Sequence, residues 1–514
     1  MRKVYFITFV FLFFACQQEQ VITFSLNTEV FPLNSGNINP MTGEFDEGQS
    51  VTIKVSAKQG YEFDSWSGSW NGSENPLTLI MDSDKLIVAN FRVADEDNDG
   101  VKNTLDNCPN TPSGATVDSN GCSISQRDTD QDGITDDQDQ DNNTRLGVPV
   151  DEQGNMQNPI YLDENGITIK AYEWAIEGDQ GEVDGEVYTV VSEQELRDKI
   201  SNDQDVTNVC TSKITDMSQL FADKETFNQD ISSWDTSKVT DMSFMFDGCS
   251  SFNQNINSWD VSKVTNFMAT FINAIAFNKP LNNWDTSSCE NMSIMFLGCS
   301  SFNQNINSWD VSKVTTFVST FFGATTFNKP LTNWDTSSCE IMDGMFSDCS
   351  SFNQNINSWD VSKVTSMNGM FVGCSSFNQN INSWDVSKVT SVGSMFSGCS
   401  SFNQNINSWD VSKVTSMHGM FYRASNFNQP LNSWDVSKVT SMNLMFCQAS
   451  NFNQPLNSWD VSKVNSMDRM FREATSFNQD LSSWVVDNVF DCVEFSINGF
   501  NWTLPKPNFT NCTE

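Results

Sequence analysis

Histidine is almost missing from this chain: His418 is the one in 514 residues. Neither a Ser-His pair nor a histidine-built metal site can be assembled from it, which excludes hydrolases of those kinds. Basic residues are scarce as well, with 28 Lys and Arg against 65 Asp and Glu and a net charge of −37. No basic groove is left to neutralise phosphates, so nucleic acid is not a partner. After the N-terminal apolar run no segment is long and apolar enough to span a bilayer. Carboxylates alone still permit a glycan-active hydrolase, but Asp260 and its equivalents recur too regularly to single out one acid–base pair.

What the chain has in excess is repetition. Trp234, Trp259, Trp284 and onward to Trp484 stand 25 residues apart, and a phenylalanine precedes each by seven, from Phe227 to Phe477. Eleven units without an insertion predict a stacked array, because one unit has too little apolar surface to bury alone. In the unit Ser351 to Ser375 the apolar positions fit neither a period of 2 nor one of 3.6 throughout, so each unit turns several times. Phe352 to Ile356 reads as a parallel strand, and Val364 to Phe371 as a short helical or 3₁₀ stretch. The Asp after Trp, as at Asp360, is placed to accept backbone N–H bonds in the turn between them. Stacked about 4.8 Å apart, eleven rungs span roughly 50 Å, with Asn353 and its equivalents forming a ladder of side-chain amides.

The run Val364 to Phe377, V-T-S-M-N-G-M-F-V-G-C-S-S-F, resembles the BspA-like surface-protein repeats of bacteria, a divergent leucine-rich-repeat family. The resemblance covers Val206 to Glu514 and implies a parallel-strand, leucine-rich-repeat-like solenoid over 206–490, with 491–514 as its C-terminal cap. Cysteines inside the array, such as Cys349, Cys374 and Cys399, alternate with alanine at one repeat position and read as small buried side chains, mostly free thiols. Cys492 and Cys512 lie beyond the last regular unit, where a disulfide would tie the tail over the open end.

At the N-terminus Arg2 and Lys3 precede the apolar run Val4 to Ala15, followed at once by Cys16. That order resembles a lipoprotein signal peptide (1–15), with Phe13-Phe14-Ala15-Cys16 as its lipobox and 16–20 as a tether. It implies lipidation at Cys16, a membrane anchor through that lipid, and a cell-surface or outer-membrane location.

Residues 95 to 141 hold thirteen Asp or Glu against Lys102 and Arg127. Such a segment repels itself unless it binds cations or stays extended as a linker. Its spacing favours calcium: Asp95, Asp97, Asp99, Val101, Asn103 and Asp106 occupy ligand positions of a calcium loop around Gly100. Asp128, Asp130, Asp132, Ile134, Asp136 and Asp139 repeat the pattern around Gly133. With Asp106-Asn107-Cys108-Pro109 and Gly121-Cys122, residues 95–144 resemble the thrombospondin type 3 calcium repeats, a resemblance that implies a Cys108–Cys122 disulfide.

Residues 21–94 alternate apolar and polar side chains and predict a small β domain. Gly60 to Gly68, G-Y-E-F-D-S-W-S-G, resembles the internalin-type B repeat, a β-grasp-like module of bacterial surface proteins. Residues 145–205 form a junction and N-terminal cap, in which Ser192 to Ile200 reads as a capped helix over the first rung. Together these readings describe a non-enzymatic surface lipoprotein that presents its solenoid to an extracellular protein or polysaccharide. The alternatives are a structural envelope protein without a ligand and the glycan hydrolase already mentioned.

Overall fold

The computed structural model describes residues 20–499 and 501–513, so the expected signal peptide and the expected lipidation site Cys16 lie outside the described residues. The chain divides into two compact units, residues 1–157 and 158–514. No described helix is long and apolar enough to cross a membrane.

The first unit opens with seven strands: β1 (Thr23–Phe31), β2 (Gly36–Asn39), β3 (Thr42–Asp46), β4 (Ser50–Ala57), β5 (Tyr61–Gly68), β6 (Leu77–Ile80) and β7 (Lys85–Val93). They form two sheets, ordered β3-β1-β7-β5 and β2-β4-β6, with β1 and β7 parallel. The alternation read from sequence sets the faces: Val51, Ile53 and Val55 are buried while Thr52 and Lys54 are exposed. Leu26, Trp66 and Ile87 fill the space between. The module is all β, with no helix among its described residues.

The second unit begins with two short hairpins, β8 (Ile160–Leu162) with β9 (Ile169–Ala171) and β10 (Gln180–Val183) with β11 (Glu186–Val190). Helix α1 (Glu193–Ser201) follows, N-capped by the Ser192 hydroxyl, which accepts the Glu195 N–H. Its buried Leu196 and Ile200 join the core of the array. Strand β12 (Val209–Cys210) then pairs in parallel with β11.

From there the chain is a solenoid-like stack. Parallel bridges join one position per rung in single file, from Asp216↔Asp241 through Ser366↔Ser391 to Ser466↔Asp491. Like side chains lie on like in one continuous core: Trp359 stacks on Trp384 at 6.5 Å between ring centroids, and Phe371 on Phe396 at 5.8 Å. Each Trp also donates its Nε1–H across rungs, as Trp384 does to the Ile356 carbonyl at 3.1 Å, so the indole is buried without an orphan donor.

Two local expectations fail, for one reason each. Phe352 to Ile356 is not a strand, because here the rungs are joined by side chains. The Asn353 Oδ1 accepts the Asn378 N–H at 3.0 Å and the Gln379 amide at 2.9 Å, and this takes the place of a backbone ladder. Val364 to Phe371 is not helical, because a left-handed residue interrupts every rung: Gly369 has φ 59° and Gly373 has φ 69°. Phe244 (φ 56°) and Leu444 (φ 58°) take the same conformation, at a cost of about 1–2 kcal/mol each for a residue with a side chain.

That alternation splits the N–H groups. Met370, Val372 and Cys374 donate three residues back within their own rung, whereas Met367, Gly369, Phe371 and Gly373 donate to the Ser391, Gly393, Met395 and Ser397 carbonyls of the next. Thr365 N–H bonds back to Glu340 O, but the four inter-rung bonds from Met367 to Gly373 all point toward the C-terminus, so the matching carbonyls of the first rung have no rung before them. Arg197 of α1 covers them, donating to Ser218 O at 3.0 Å and Asp216 O at 3.4 Å. The far end is closed by the tail. A Cys492–Cys512 disulfide holds it, Leu481 N–H bonds Pro505 O, and Trp502 packs edge-on against Phe471 and Phe477.

Candidate calcium loops and the surface of the array

Asp95, Asp97 and Asp99 gather carboxylate oxygens within 4.8 Å of one another, and Asp128, Asp130 and Asp132 do the same in the second loop. Glycines at Gly100 (φ 97°) and Gly133 (φ 97°) turn the chain back on itself between them. Hydrogen bonds inside the loop use part of each carboxylate: Gly100 N–H bonds Asp95 Oδ2, Val101 N–H bonds Asp99 Oδ1, and Ile134 N–H bonds Asp132 Oδ1. The remaining oxygens face inward. Asp95 Oδ1, Asp99 Oδ2, Asp130 Oδ1 and Asp132 Oδ2 are buried with no partner. Buried anionic oxygens without a donor are costly, and a hard cation taking several oxygen ligands is the group that satisfies them.

Asp106 and Asp139 reach the same places by a longer route. A Cβ on Gly121 would lie 2.1 Å from Asp106 Oδ1 and 3.1 Å from Asp99 Oδ2, and one on Gly154 would strike Asp139. Only glycine lets these carboxylates approach. Asp139 is pushed above the usual carboxylate range by burial, and its neighbours Asp132, Asp130 and Asp141 add repulsion. Asn103 and Asp136 carry hydrogen bonds of their own. The Asn103 Oδ1 accepts the Glu96 N–H at 2.8 Å, and Asp136 is spent on Arg127 and on the Thr129 N–H and hydroxyl. These bonds close the loops from outside.

The two loops are one motif repeated at a step of 33 residues. Thr111 N–H bonds Asp97 Oδ2 at 2.6 Å and Thr144 N–H bonds Asp130 Oδ2 at 2.6 Å; the same hydroxyls donate to Gly121 O and Gly154 O. The pattern continues past residue 144, where an isolated bridge from Val150 to Met156 matches that from Val117 to Ser123, and the first unit ends at Gln157. The Cys108–Cys122 disulfide is formed in the first copy, and Asp141 and Asn155 stand at the equivalent places in the second. The missed signal was Val150-Asp151 and Gly154 echoing Val117-Asp118 and Gly121.

On the array, the Asp that follows every repeat Trp but Trp484 caps a turn: Asp360 Oδ1 accepts the Ser362 N–H at 2.9 Å, and bonds from Ser362 hold the carboxyl below its ordinary range. Lys363 is exposed beside it. The thiols Cys249, Cys299, Cys349, Cys374 and Cys399 are buried and free. Cys374 Sγ–H donates to the Phe346 carbonyl of the previous rung at 2.8 Å, and burial pushes Cys289 and Cys339 up to about 12. Such thiols are not nucleophiles at neutral pH.

Comparison with known proteins divides the chain along the same lines. Residues 26–95 match the divergent InlB B-repeat domain and residues 94–115 the thrombospondin type 3 repeat. With the acidic triads, the latter is consistent with a calcium-binding site. An α-agarase of Thalassotalea agarivorans is 38% identical over 73 residues, 14% of this chain and 4% of that protein. An α-agarase of Alteromonas agarilytica is 64% identical over 33 residues, 6% of this chain and 2% of that protein. The chain thus spans a small fraction of these curated relatives. No solved structure matches. The matched families are repeat domains, and none of them is described as catalytic. Over 192–308, 290–408 and 394–501, more than half of its length, the chain belongs to the family described as Mycoplasma protein of unknown function, DUF285.

Proposed function

We propose that this is a cell-surface adhesion protein, anchored by lipid at Cys16 and stiffened by calcium, whose leucine-rich-repeat-like array of 25-residue units binds an extracellular protein or glycan. Asp95, Asp97, Asp99, Asp106, Asp128, Asp130, Asp132 and Asp139 would hold the calcium, with carbonyls at Val101 and Ile134 as further oxygen ligands. The observation that carries the reading is the joining, in one chain, of an adhesin-type B repeat, acidic loops with orphaned inward oxygens, and a long rung array closed at both ends. An array capped at both ends presents its flanks, and weak contacts repeated along a flank add through avidity.

The curated relatives are named for agar degradation, and what they share with this chain is short; agarose enters only as a probe. The test is to probe arrays of glycans, agarose included, and of extracellular proteins with the full chain in calcium. Binding that a variant lacking residues 21–94 retains supports the array as the recognition element. Binding confined to residues 21–94, or none on either array, reduces the solenoid to a stalk.

A further inference from the structure

The rungs are not alike on every side. On most of the circumference they repeat almost letter for letter: the asparagine at 353 is asparagine in every rung from Asn228 to Asn478. The stretch that carries the inter-rung backbone bonds is different. Its outward positions, those of 368, 369, 372 and 373, change identity from rung to rung, and they hold the chain's one histidine, His418, with Tyr422 and all three arginines of the array. Elsewhere the changes are few and recur in alternate rungs, as Ser288 and Ser338 for Lys363 or Pro280 and Pro330 for Asn355, so the widest variation falls on this face and marks positions free to differ.

Within that face the early rungs are apolar. Met268, Ile272, Leu297, Val318 and Phe322 occupy positions that are serine or glycine elsewhere, for example Ser347, Gly393 and Ser397. The backbone bonds Gly248 N–H to Ile272 O, Asn273 N–H to Leu297 O and Gly298 N–H to Phe322 O fix Ile272, Leu297 and Phe322 on three successive rungs. Phe322 is 37% exposed and the neighbouring Ile275 is 50% exposed. Outward apolar groups on consecutive rungs of an exported protein mark a surface that is covered in use.

The ends of this patch say what covers it. Asp223 and Asp247 lie on the rungs before it, and Asp343 and Asp348 on the rung after. Asp247 is pushed up by burial and by Asp223 beside it, as befits an acid facing another acid. A second copy laid antiparallel across the patch would set one acidic end against the other, and an anionic membrane would be repelled at both. A uniform polysaccharide offers the same chemistry at every rung and has no use for a face that changes.

We propose that the variable face of the early rungs, centred on Ile272, Leu297 and Phe322, binds a polypeptide segment whose apolar stretch is flanked on both sides by lysine or arginine. This rests on the adhesion reading and narrows it to one face and one class of partner. The apolar side chains remove area from water, and the acidic ends set register and discriminate by charge.

The test uses the full chain in calcium at physiological salt. The probes are two synthetic peptides: a short leucine and phenylalanine run between lysine pairs, and the same run between glutamate pairs. Fluorescence anisotropy should show binding of the lysine peptide alone. The double variant Leu297→Ser/Phe322→Ser, which introduces a residue the same position already carries at Ser347 and Ser397, should weaken it by about tenfold or more. Asp247→Asn/Asp343→Asn should weaken it and flatten its salt dependence. Lys363→Ala/Lys388→Ala, on the uniform face, should leave it unchanged. A lysine peptide that does not bind, or binds the serine variant as tightly as the native chain, overturns the proposal, as does equal binding of the glutamate peptide. If the chain still captures a partner on the arrays after such a result, adhesion stands and this face is wrong; if both fail, the adhesion reading has failed.

Discussion

The acidic loops and the rung array are both tandem repeats in one chain, and they satisfy their buried polar groups in opposite ways. In the array each rung completes its neighbour. The indole of Trp384 finds the Ile356 carbonyl, Asn353 Oδ1 finds the Asn378 N–H, and the Cys374 thiol finds the Phe346 carbonyl. Among the described residues only Asn443 Oδ1 and Arg472 Nε of the array are buried without a hydrogen-bond partner, and the core between these bonds is apolar ladder on apolar ladder. In the loops the repeat supplies only acceptors. Carboxylates converge, the donors that reach the two triads are backbone N–H groups, and four buried oxygens are left over. The array satisfies nearly all of its buried polar groups from within, whereas the loops leave inward oxygens that the proposed cation would satisfy.

The largest effect that would break this contrast lies inside the array. Trp359→Ala should destabilise the solenoid by about 3–5 kcal/mol, since it empties one place in a continuous aromatic column, whereas Lys363→Ala on the solvent side should be close to neutral. Thermal unfolding of the two variants measures this. Equal shifts would mean that the assigned inside and outside are wrong.

A smaller effect tests the claim that the array is directional. Arg197→Ala removes the donors over the Ser218 and Asp216 carbonyls, and should cost about 1–3 kcal/mol, toward the lower end because the side chain is partly exposed. Hydrogen exchange should show the loss at the first rungs, with the last rungs unchanged. A uniform change along the stack would show that the backbone polarity has no bearing on how its end is closed.

Much of this was legible in the residues. The 25-residue spacing of Trp and Phe, the Asp after Trp and the cysteine–alanine alternation each have a single physical reading, and the stacked rings, Asx-type turns and buried thiols follow it. The strand at 352–356 and the helix at 364–371 were misread because hydrophobic position alone does not report backbone handedness. The sign was there in Gly344, Gly369 and Gly419 at one position and Gly298, Gly373 and Gly398 at another, but Phe244 and Leu444 at the first hid it. Asn103 and Asp136 fit a calcium spacing and also accept the Glu96 and Thr129 N–H groups, which the spacing alone does not report.

The most direct test of the contrast is a calorimetric titration of calcium into the metal-stripped full chain, followed by limited proteolysis with and without the ion. The account predicts that more than one ion binds, with affinities between micromolar and millimolar. Asp99→Asn and Asp132→Asn should each remove one class of sites, and calcium should protect residues 95–157 while leaving the array's resistance as it was. Absence of binding heat, together with the same cleavage of residues 95–157 in calcium and in chelator, would contradict it.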